Sequence, residues 1–413
     1  MRELFNDYVN SMTTYIMFKI KAAANKLRPE LEAKGRAPIF LSMGAPTAPP
    51  PKKLLDRLKS ALDEPGVHLY SIPRGESFFL EEIAKFMKRR FNVELDPKTE
   101  IASLIGSKEG LANFLRALIN PTTDIAEKEV VFVPDPGYAS YSQMIEIAGG
   151  KTFPIPLTVE NKYLPNLDEV WNNYLNEGGN PNKVKAVIIN YPNNPLGATA
   201  TRDYYQHVID FCKRHNVVLM SDAAYSDLYF NDNERPFSIL EFEGAKDIAV
   251  EFFSFSKPYA ITGARLGWIC GNKDAIDELC VLKSTIDNGI YRPLQIACGE
   301  ILNSPEGDEY TLEANKELKR KQDIFIKGIK ELGWPEFYVP NATFYLWMPI
   351  PPRYSSSKEF TDDLMKTSGV IAVPGHAYGI HGEGFFRVSI VCSEEQIKEC
   401  ISRMKEDGFY YNK

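Results

Sequence analysis

The chain has 413 residues, of which 44% are hydrophobic and 25% are charged, a balance typical of a globular protein with about two or three domains. The net charge of -7, with Lys and Arg interspersed along the chain, argues against nucleic-acid binding. There is no signal-peptide pattern at the N-terminus, and no apolar run approaches the ~20 residues of a membrane span, so we expect a cytoplasmic protein without membrane contact. The six cysteines form no Cys-x-x-Cys pair and the five histidines show no ligand spacing, so no metal site is predicted.

The first hundred residues predict a helical arm, a short strand and a functional loop. Residues 8–34 have helical character, and we expect this arm to pack in the core or at an interface, with a pocket wall as the alternative. The run 39–44 is typical of a short strand, and Gly44 at its end lets the backbone approach a ligand. The segment 68–75 is polar, aromatic and rich in turns, which makes Tyr70 a candidate functional residue, with an ordinary surface tyrosine as the alternative.

Apolar strands alternate with helices from residue 101 onwards, which is the pattern of a mostly parallel sheet with helices on its faces. The strands are predicted at 101–105, 130–133, 184–190, 217–220, 248–253 and 266–270. The polar or aromatic residues that follow the first five strands are Ser107, Lys108, Tyr138, Asn194, Asp222, Tyr225, Ser254, Ser256 and Lys257. Because ligands of open α/β sheets bind beyond the carboxyl ends of the strands, we expect these residues to converge on one crevice.

The turn after the strand predicted at 101–105 contains Ser107 and Lys108 and leads into a helix predicted at 111–119. Small residues at a helix start expose backbone N–H groups, which together with the helix dipole favour an anion. An ordinary capped helix is the alternative interpretation of this turn.

The last hundred residues show a different pattern. A long polar helix at 309–332 is predicted to bridge two domains, and strands are predicted at 343–348, 370–373 and 385–391, before a closing helix from Ser393. This predicts a smaller α+β unit joined in space by the N-terminal arm. The expected division is an arm with part of the small domain at 1–55, a large domain at 56–308 and a small C-terminal domain at 309–413.

A lysine after a buried strand is most often a solvated strand end, so Lys257 alone predicts little. The other strand ends, however, supply an aspartate, a tyrosine, an asparagine, an aromatic ring, hydroxyls and arginines. This set suits pyridoxal 5'-phosphate (PLP), because a lysine amine forms a Schiff base with the cofactor aldehyde and a carboxylate keeps the pyridine nitrogen protonated. Hydroxyls and an arginine can hold the phosphate.

Four motifs resemble those of the class I/II aminotransferases of fold type I. They are Ser254-Phe255-Ser256-Lys257 with Arg265, Asn193-Asn194-Pro195-Leu196-Gly197, Asp222-Ala223-Ala224-Tyr225, and Phe386-Arg387-Val388-Ser389. The resemblance extends from about residue 35 to the end of the chain. It implies an α/β fold in which a large domain, with a mostly parallel seven-stranded sheet between helices, is accompanied by a smaller α+β domain.

Position by position, the resemblance implies catalytic roles for Lys257, Tyr225 and Asp222. Lys257 would form the Schiff base and move the proton, Asp222 would pair with the pyridine nitrogen, and Tyr225 with Asn194 would bind the phenolate oxygen. Tyr138 would stack on the ring, and the phosphate would be surrounded by Ser107, Lys108, Ser254, Ser256 and Arg265. Tyr70 would join them from the partner subunit of a homodimer.

For the substrate, the resemblance implies that Arg387 binds the α-carboxylate as a bidentate fork, close to Asn194 and the Gly44 backbone. A strand-end salt bridge is the alternative for Arg387. Arg292 is only a weak candidate for the distal substrate group, and a surface arginine is the simpler interpretation.

The expected reaction is a ping-pong transfer of an amino group from an L-amino acid to a 2-oxo acid such as 2-oxoglutarate. The branch with LL-diaminopimelate, alanine and aspartate aminotransferases fits best, with LL-diaminopimelate, aspartate, glutamate or alanine as donor. The alternatives are a PLP-dependent cysteine-conjugate β-lyase and a non-catalytic aminotransferase-like regulator. A nucleotide-binding dehydrogenase is excluded because no Gly-x-Gly-x-x-Gly follows a strand.

Overall fold

The computed structural model describes residues 4, 9–10 and 16–412. The beginning of the predicted arm, including residue 8 and residues 11–15, lies outside the described residues. From Ile16 the arm is helical as predicted, and the glycine that follows it, Gly35, has a φ of 71°. Among the described residues, no helix is both long and apolar enough to cross a membrane.

The strands and helices alternate along most of the chain. The strands are β1 (Ile39–Phe40), β2 (Ile101–Leu104), β3 (Val130–Asp135), β4 (Lys151–Pro156), β5 (Val184–Ile189), β6 (Val218–Asp222), β7 (Ala249–Ser254), β8 (Gly267–Gly271), β9 (Tyr345–Pro349), β10 (Val370–Ile371), β11 (Val373–Pro374) and β12 (Phe385–Ser389). The helices are α1 (Ile16–Ala33), α2 (Lys52–Ala61), α3 (Ser77–Phe91), α4 (Ser107–Leu118), α5 (Ser140–Ile147), α6 (Leu167–Asn176), α7 (Arg202–His215), α8 (Ala245–Ile248), α9 (Lys273–Lys283), α10 (Arg292–Leu302), α11 (Pro305–Glu331), α12 (Ser357–Ser368) and α13 (Glu394–Glu406).

Seven strands form one sheet in the order β2-β8-β7-β6-β5-β3-β4. The neighbours from β7 to β4 are parallel, whereas β8 is antiparallel to both β2 and β7. The predicted α/β fold with a mostly parallel seven-stranded sheet is therefore confirmed. The sheet brings the carboxyl ends of β5, β6 and β7 side by side.

The sheet lies between two hydrophobic cores because its strands are apolar on both faces. On β7, Phe253 packs in one core and Phe252 in the other, and on β5 the same holds for Val187 and Ile188. Successive side chains of a strand point to opposite faces, so a continuous apolar run needs a covered surface on each side. The predicted strands of this sheet therefore lie within a few residues of the observed bounds. Strand β4, which is more exposed than the others, was not predicted.

A further core belongs to the C-terminal part of the chain. It contains the three-stranded sheet β11-β12-β9, and the parallel pair of β1 with β10 attaches the segment after the arm to this part. The predicted bridging helix is α11, which begins at Pro305, slightly earlier than expected. The proposed domain boundaries at 55/56 and 308/309 stay predictions.

Two local predictions are corrected. The strand predicted at 370–373 is divided at Ala372, because β10 pairs with β1 whereas β11 pairs with β12. The helix predicted at 111–119 begins at Ser107, directly after Gly106 with a φ of 78°. The second correction matters for function, since it makes Ser107 and Lys108 the first residues of α4.

Candidate active site

A cavity of about 400 Å³ lies at the carboxyl ends of β5, β6 and β7. The predicted site residues that line it are Gly44, Ser107, Lys108, Tyr138, Asn194, Asp222, Tyr225, Ser254, Ser256, Lys257, Arg265 and Arg387. Further lining residues are Ser42, Leu111, Asn190, Ala224, Thr262 and Tyr345, which were not predicted from the sequence, and Met17, which lies in the arm. The fold therefore brings together predicted residues from the ends of five strands of the large sheet, from β12 and from the segment after β1.

Lys257 follows the carboxyl end of β7 and extends into this cavity. Its Nζ donates a hydrogen bond to the Gly44 carbonyl oxygen at 2.5 Å. Burial, together with the positive charges of Arg265 and Arg387, lowers the pKa of Lys257 to about 8, whereas Asp222 opposes the shift. A substantial fraction of neutral amine is therefore present near pH 8, which is the form that acts as a nucleophile or base.

Asp222 is the last residue of β6 and the one carboxylate among the described residues that line the cavity. Tyr141 donates its hydroxyl proton to Asp222 Oδ2 at 2.6 Å, and the Ala224 N–H approaches Oδ1 at 3.4 Å. Burial raises the pKa of Asp222, while the donors Tyr141 and Ala224 and the charge of Lys257 act in the opposite direction. The Asp222 carboxylate is thus buried, and the Tyr141 hydroxyl fixes its orientation.

Replacing Tyr141 with Phe is expected to shift the acid limb of the pH–kcat profile to higher pH. Tyr141 lowers the pKa of Asp222, so its removal raises that pKa further and Asp222 becomes protonated at a higher pH. We expect kcat near neutral pH to fall by about tenfold, the usual effect of losing one hydrogen bond to a charged group. The pH profile of the variant checks this, and an unchanged acid limb would contradict it.

One end of the cavity is strongly cationic. Arg265 Nη1 approaches Ser256 Oγ at 3.4 Å, and burial followed by the charge of Arg265 lowers the pKa of Lys108. Gly106 lies so close to the Arg265 guanidinium that a Cβ at this position would clash with it. Together with the N-terminus of α4, these groups form a setting suited to a phosphate.

Arg387 lies in β12, also lines the cavity and is 3% exposed. Its Nη1 donates to Asn194 Oδ1 at 2.9 Å and its Nη2 to the Ser42 carbonyl oxygen at 2.8 Å. The centre of the Tyr345 ring lies 4.2 Å from the guanidinium carbon, and the Tyr345 hydroxyl is 3.1 Å from that of Tyr225. The guanidinium is therefore held in place by neutral acceptors and an aromatic face, in the same cavity as Lys257.

Two predicted residues do not line the cavity. Tyr70 is 85% exposed and lies in the loop before α3, so its action on a partner subunit stays a prediction. Arg292 begins α10, donates to the Gly66 carbonyl oxygen and forms an ion pair with Glu76 at 3.0 Å. The arm does contribute, because Met17 of α1 forms part of the cavity wall, which was the alternative interpretation of this segment.

The comparisons with known proteins agree with this geometry. The family "Aminotransferase class I and II" matches residues 37–404. The chain belongs to the class I and II aminotransferases. LL-diaminopimelate aminotransferase from Syntrophobacter fumaroxidans is 41% identical over 93% of this chain and 95% of its own length. LL-diaminopimelate aminotransferase 2 from Trichormus variabilis is 39% identical over 95% of this chain and 96% of its own length.

Among solved structures, the substrate-bound BacF structure from Bacillus subtilis superposes with a TM-score of 0.88. It is 31% identical in sequence, and the match covers 98% of this chain and 97% of that chain. The fold predicted from the resemblance and the assignment as an aminotransferase are both confirmed, and with the family comes PLP as cofactor. The chain is thus an enzyme that transfers amino groups.

The residues present fit this cofactor. At the start of α4 the cavity has hydroxyls and the two cations Lys108 and Arg265. It also contains the buried carboxylate of Asp222 on β6 and the amine of Lys257 after β7, whose pKa is lowered. These are the groups that a phosphate, a pyridine nitrogen and an aldehyde require. The supporting residues missed at the sequence level include Tyr141, which donates to Asp222, and Tyr345, whose ring lies against Arg387.

Proposed function

We propose that this aminotransferase moves the amino group of LL-diaminopimelate, or of another acidic or dicarboxylic amino donor, to 2-oxoglutarate in a ping-pong cycle. The observation that carries the proposal is the buried Arg387 fork in the same cavity as Lys257, because a planar guanidinium matches a carboxylate with two parallel hydrogen bonds. The names of the relatives from Syntrophobacter fumaroxidans and Trichormus variabilis support the choice of donor.

When bound, PLP supplies a carbonyl carbon for the amino group and a pyridinium ring that withdraws electrons from the substrate Cα–H bond. Asp222 would keep the ring nitrogen protonated, and the Tyr141 hydroxyl would keep Asp222 ionised and oriented for that task. Tyr225, whose pKa is raised well above its ordinary value by burial, would stay protonated and donate to the phenolate oxygen together with Asn194. Tyr138 would cover one face of the ring.

Lys257 would remove the proton from the substrate Cα and return it on the cofactor side. The hydrogen bond from its Nζ to the Gly44 carbonyl fixes where the amine lies, and its lowered pKa gives the neutral form near the working pH. Arg387 and Asn194 would hold the α-carboxylate so that the Cα–H bond faces this amine. Positioning of this kind converts a bimolecular proton transfer into one within a complex.

The reaction of PLP with the cofactor-free chain is expected to accelerate as pH rises and to level off above about pH 8, where Lys257 becomes neutral. The pKa is lowered in the folded protein, so the reactive amine is available at lower pH than for an exposed lysine. Stopped-flow absorbance at a series of pH values measures this rate. A midpoint near the ordinary lysine pKa would contradict the lowered value.

We also propose that the enzyme acts as a homodimer in the cytoplasm and that Tyr70 enters the partner's active site, since on its own chain the side chain is exposed and outside the cavity. Hybrids of Lys257→Ala and Tyr70→Phe subunits test this. If Tyr70 acts on the partner, each site of the hybrid takes Lys257 from its own subunit and Tyr70 from the other subunit. One site then carries both substitutions and the other site carries neither. Mixing the two weak variants therefore restores activity at the unchanged site. Activity that stays at the average of the two variants would contradict the proposal.

The donor is tested by measuring kcat/KM for LL-diaminopimelate, aspartate, glutamate and alanine with 2-oxoglutarate as acceptor. The proposal predicts parallel double-reciprocal plots and a preference for LL-diaminopimelate or a dicarboxylic donor over alanine. A preference for alanine, or intersecting plots, would contradict the substrate and the ping-pong order respectively. Pyruvate release from a cysteine conjugate without amino transfer would favour a β-lyase instead.

A further inference from the structure

A buried ammonium group lies behind the cationic end of the cavity. Lys283 is the last residue of α9, and its side chain is 0% exposed. Its Nζ donates to Asp287 Oδ2 at 2.9 Å and to Glu109 Oε1 at 3.3 Å. A buried charge is costly unless it is paired, and this ammonium joins two carboxylates that come from different segments of the chain.

The first of these carboxylates controls the turn before α4. Glu109 Oε2 accepts the Ile105 N–H at 2.7 Å, and Oε1 accepts the Asn113 amide at 2.6 Å. Ile105 directly precedes Gly106 and Ser107, so Glu109 connects the entrance of the turn to the first two turns of the helix. These two hydrogen bonds of Glu109 thus join the residue before the turn to the helix that begins at Ser107.

The second carboxylate supports the loop that contains Tyr70. Asp287 Oδ1 accepts the Gly289 N–H at 2.8 Å. Gly289 has a φ of 84° and lies so close to the backbone of Ile72 that an added Cβ would clash with the Ile72 carbonyl oxygen. The segment that Asp287 organises thus lies directly against the backbone two residues after Tyr70.

We propose that Lys283 is a positioning residue for recognition of the cofactor phosphate. Its ammonium holds Glu109, and Glu109 holds the turn that presents Ser107 and Lys108. Without the Lys283 ammonium, the neighbouring carboxylates of Glu109 and Asp287 would repel each other. Glu109 would then move and lose its hydrogen bond from the Ile105 N–H. This inference rests on the proposed role of the α4 N-terminus as the phosphate end of the site.

The test compares PLP with pyridoxal, which lacks the phosphate. The full-length enzyme and its Lys283→Met variant are freed of cofactor by dialysis, and the affinities for PLP, pyridoxal and inorganic phosphate are measured by fluorescence. We expect the preference for PLP over pyridoxal to fall by about tenfold or more in the variant, with a parallel loss of inorganic-phosphate affinity. The affinity for pyridoxal itself should change little, because pyridoxal has no phosphate and would depend on Asp222 and Lys257 instead.

The control is Lys321→Met, since Lys321 is also a buried lysine in an ion pair, with Glu317, but lies outside the active-site cavity. It should keep the wild-type preference. If Lys283→Met does not fold, Glu109→Ala takes its place with the same expected loss, because alanine cannot accept the Ile105 N–H. An unchanged ratio of the PLP affinity to the pyridoxal affinity in the Lys283→Met variant would overturn the inference. If the wild-type enzyme itself binds PLP no more tightly than pyridoxal, the proposed phosphate site at the start of α4 is wrong. The test therefore distinguishes failure of the phosphate site from failure of the role proposed for Lys283.

Discussion

Replacing Lys257 with Ala is expected to lower kcat by about 10⁴-fold or more, while the protein still folds and still binds PLP non-covalently. Lys257 is the amine in the cavity whose pKa is lowered to about 8, and we propose that it moves the proton at the substrate Cα. Cofactor binding should survive because the phosphate end and Asp222 are untouched. Loss of the covalent cofactor absorbance, together with single-turnover kinetics, measures both effects.

The matched control for this variant is Lys321→Ala. It also removes a buried amine, which is paired with Glu317 and lines a neighbouring cavity, not the one that contains Asp222 and Arg387. Its kcat should stay within a few-fold of wild type. Amino transfer by the Lys257→Ala variant at more than about one-hundredth of the wild-type rate would rule out Lys257 as the group that moves the proton.

Replacing Arg387 with Lys is expected to lower kcat/KM for amino-acid donors by about 10²- to 10³-fold, which corresponds to the usual cost of about 2–5 kcal/mol for losing one partner of a buried charged pair. Lysine keeps the positive charge but cannot form two parallel hydrogen bonds. The fork is already held by Asn194 and the Ser42 carbonyl in the described structure, so little ordering cost remains when the carboxylate binds.

An amine without an α-carboxylate provides the control substrate for the Arg387→Lys variant. Such an amine cannot use the fork, so wild type and variant should process it at similar low rates. The ratio of kcat/KM for the amino acid to that for the amine therefore isolates the carboxylate contact. A variant that loses both substrates equally would show that Arg387 serves the structure and not the substrate.

Much of the site was predictable because the sheet concentrates polar residues at one edge. Asp222 and Lys257 lie at the carboxyl ends of mostly apolar, buried strands, and ligands of open α/β sheets bind beyond those ends. Arg387 was predictable for a similar reason, since an arginine among buried aromatic residues needs a partner. The resemblance to the family added the role of each residue.

The supporting residues were not predictable. Tyr141 lies on α5 three residues after Tyr138, where an aromatic residue on a helix is typical of the core, and only the fold shows that its hydroxyl reaches Asp222. Tyr345 lies in a continuous apolar run predicted as a strand, where an aromatic residue is typical of the core. Ser42 contributes a backbone carbonyl, which any residue could supply, and so leaves no signal in the sequence. Lys283 and Glu109 are far apart in sequence, and their pairing depends on the tertiary structure.

In the proposed cycle, the enzyme takes an amino group from one substrate and holds it until a second substrate removes it. Mixing the cofactor-loaded enzyme with LL-diaminopimelate in the absence of any 2-oxo acid tests this most directly. We predict transfer of one amino group per active site, seen as a stoichiometric change in cofactor absorbance that reverses on addition of 2-oxoglutarate. Continued release of ammonia without an acceptor, or no change in absorbance with any amino donor, would contradict it.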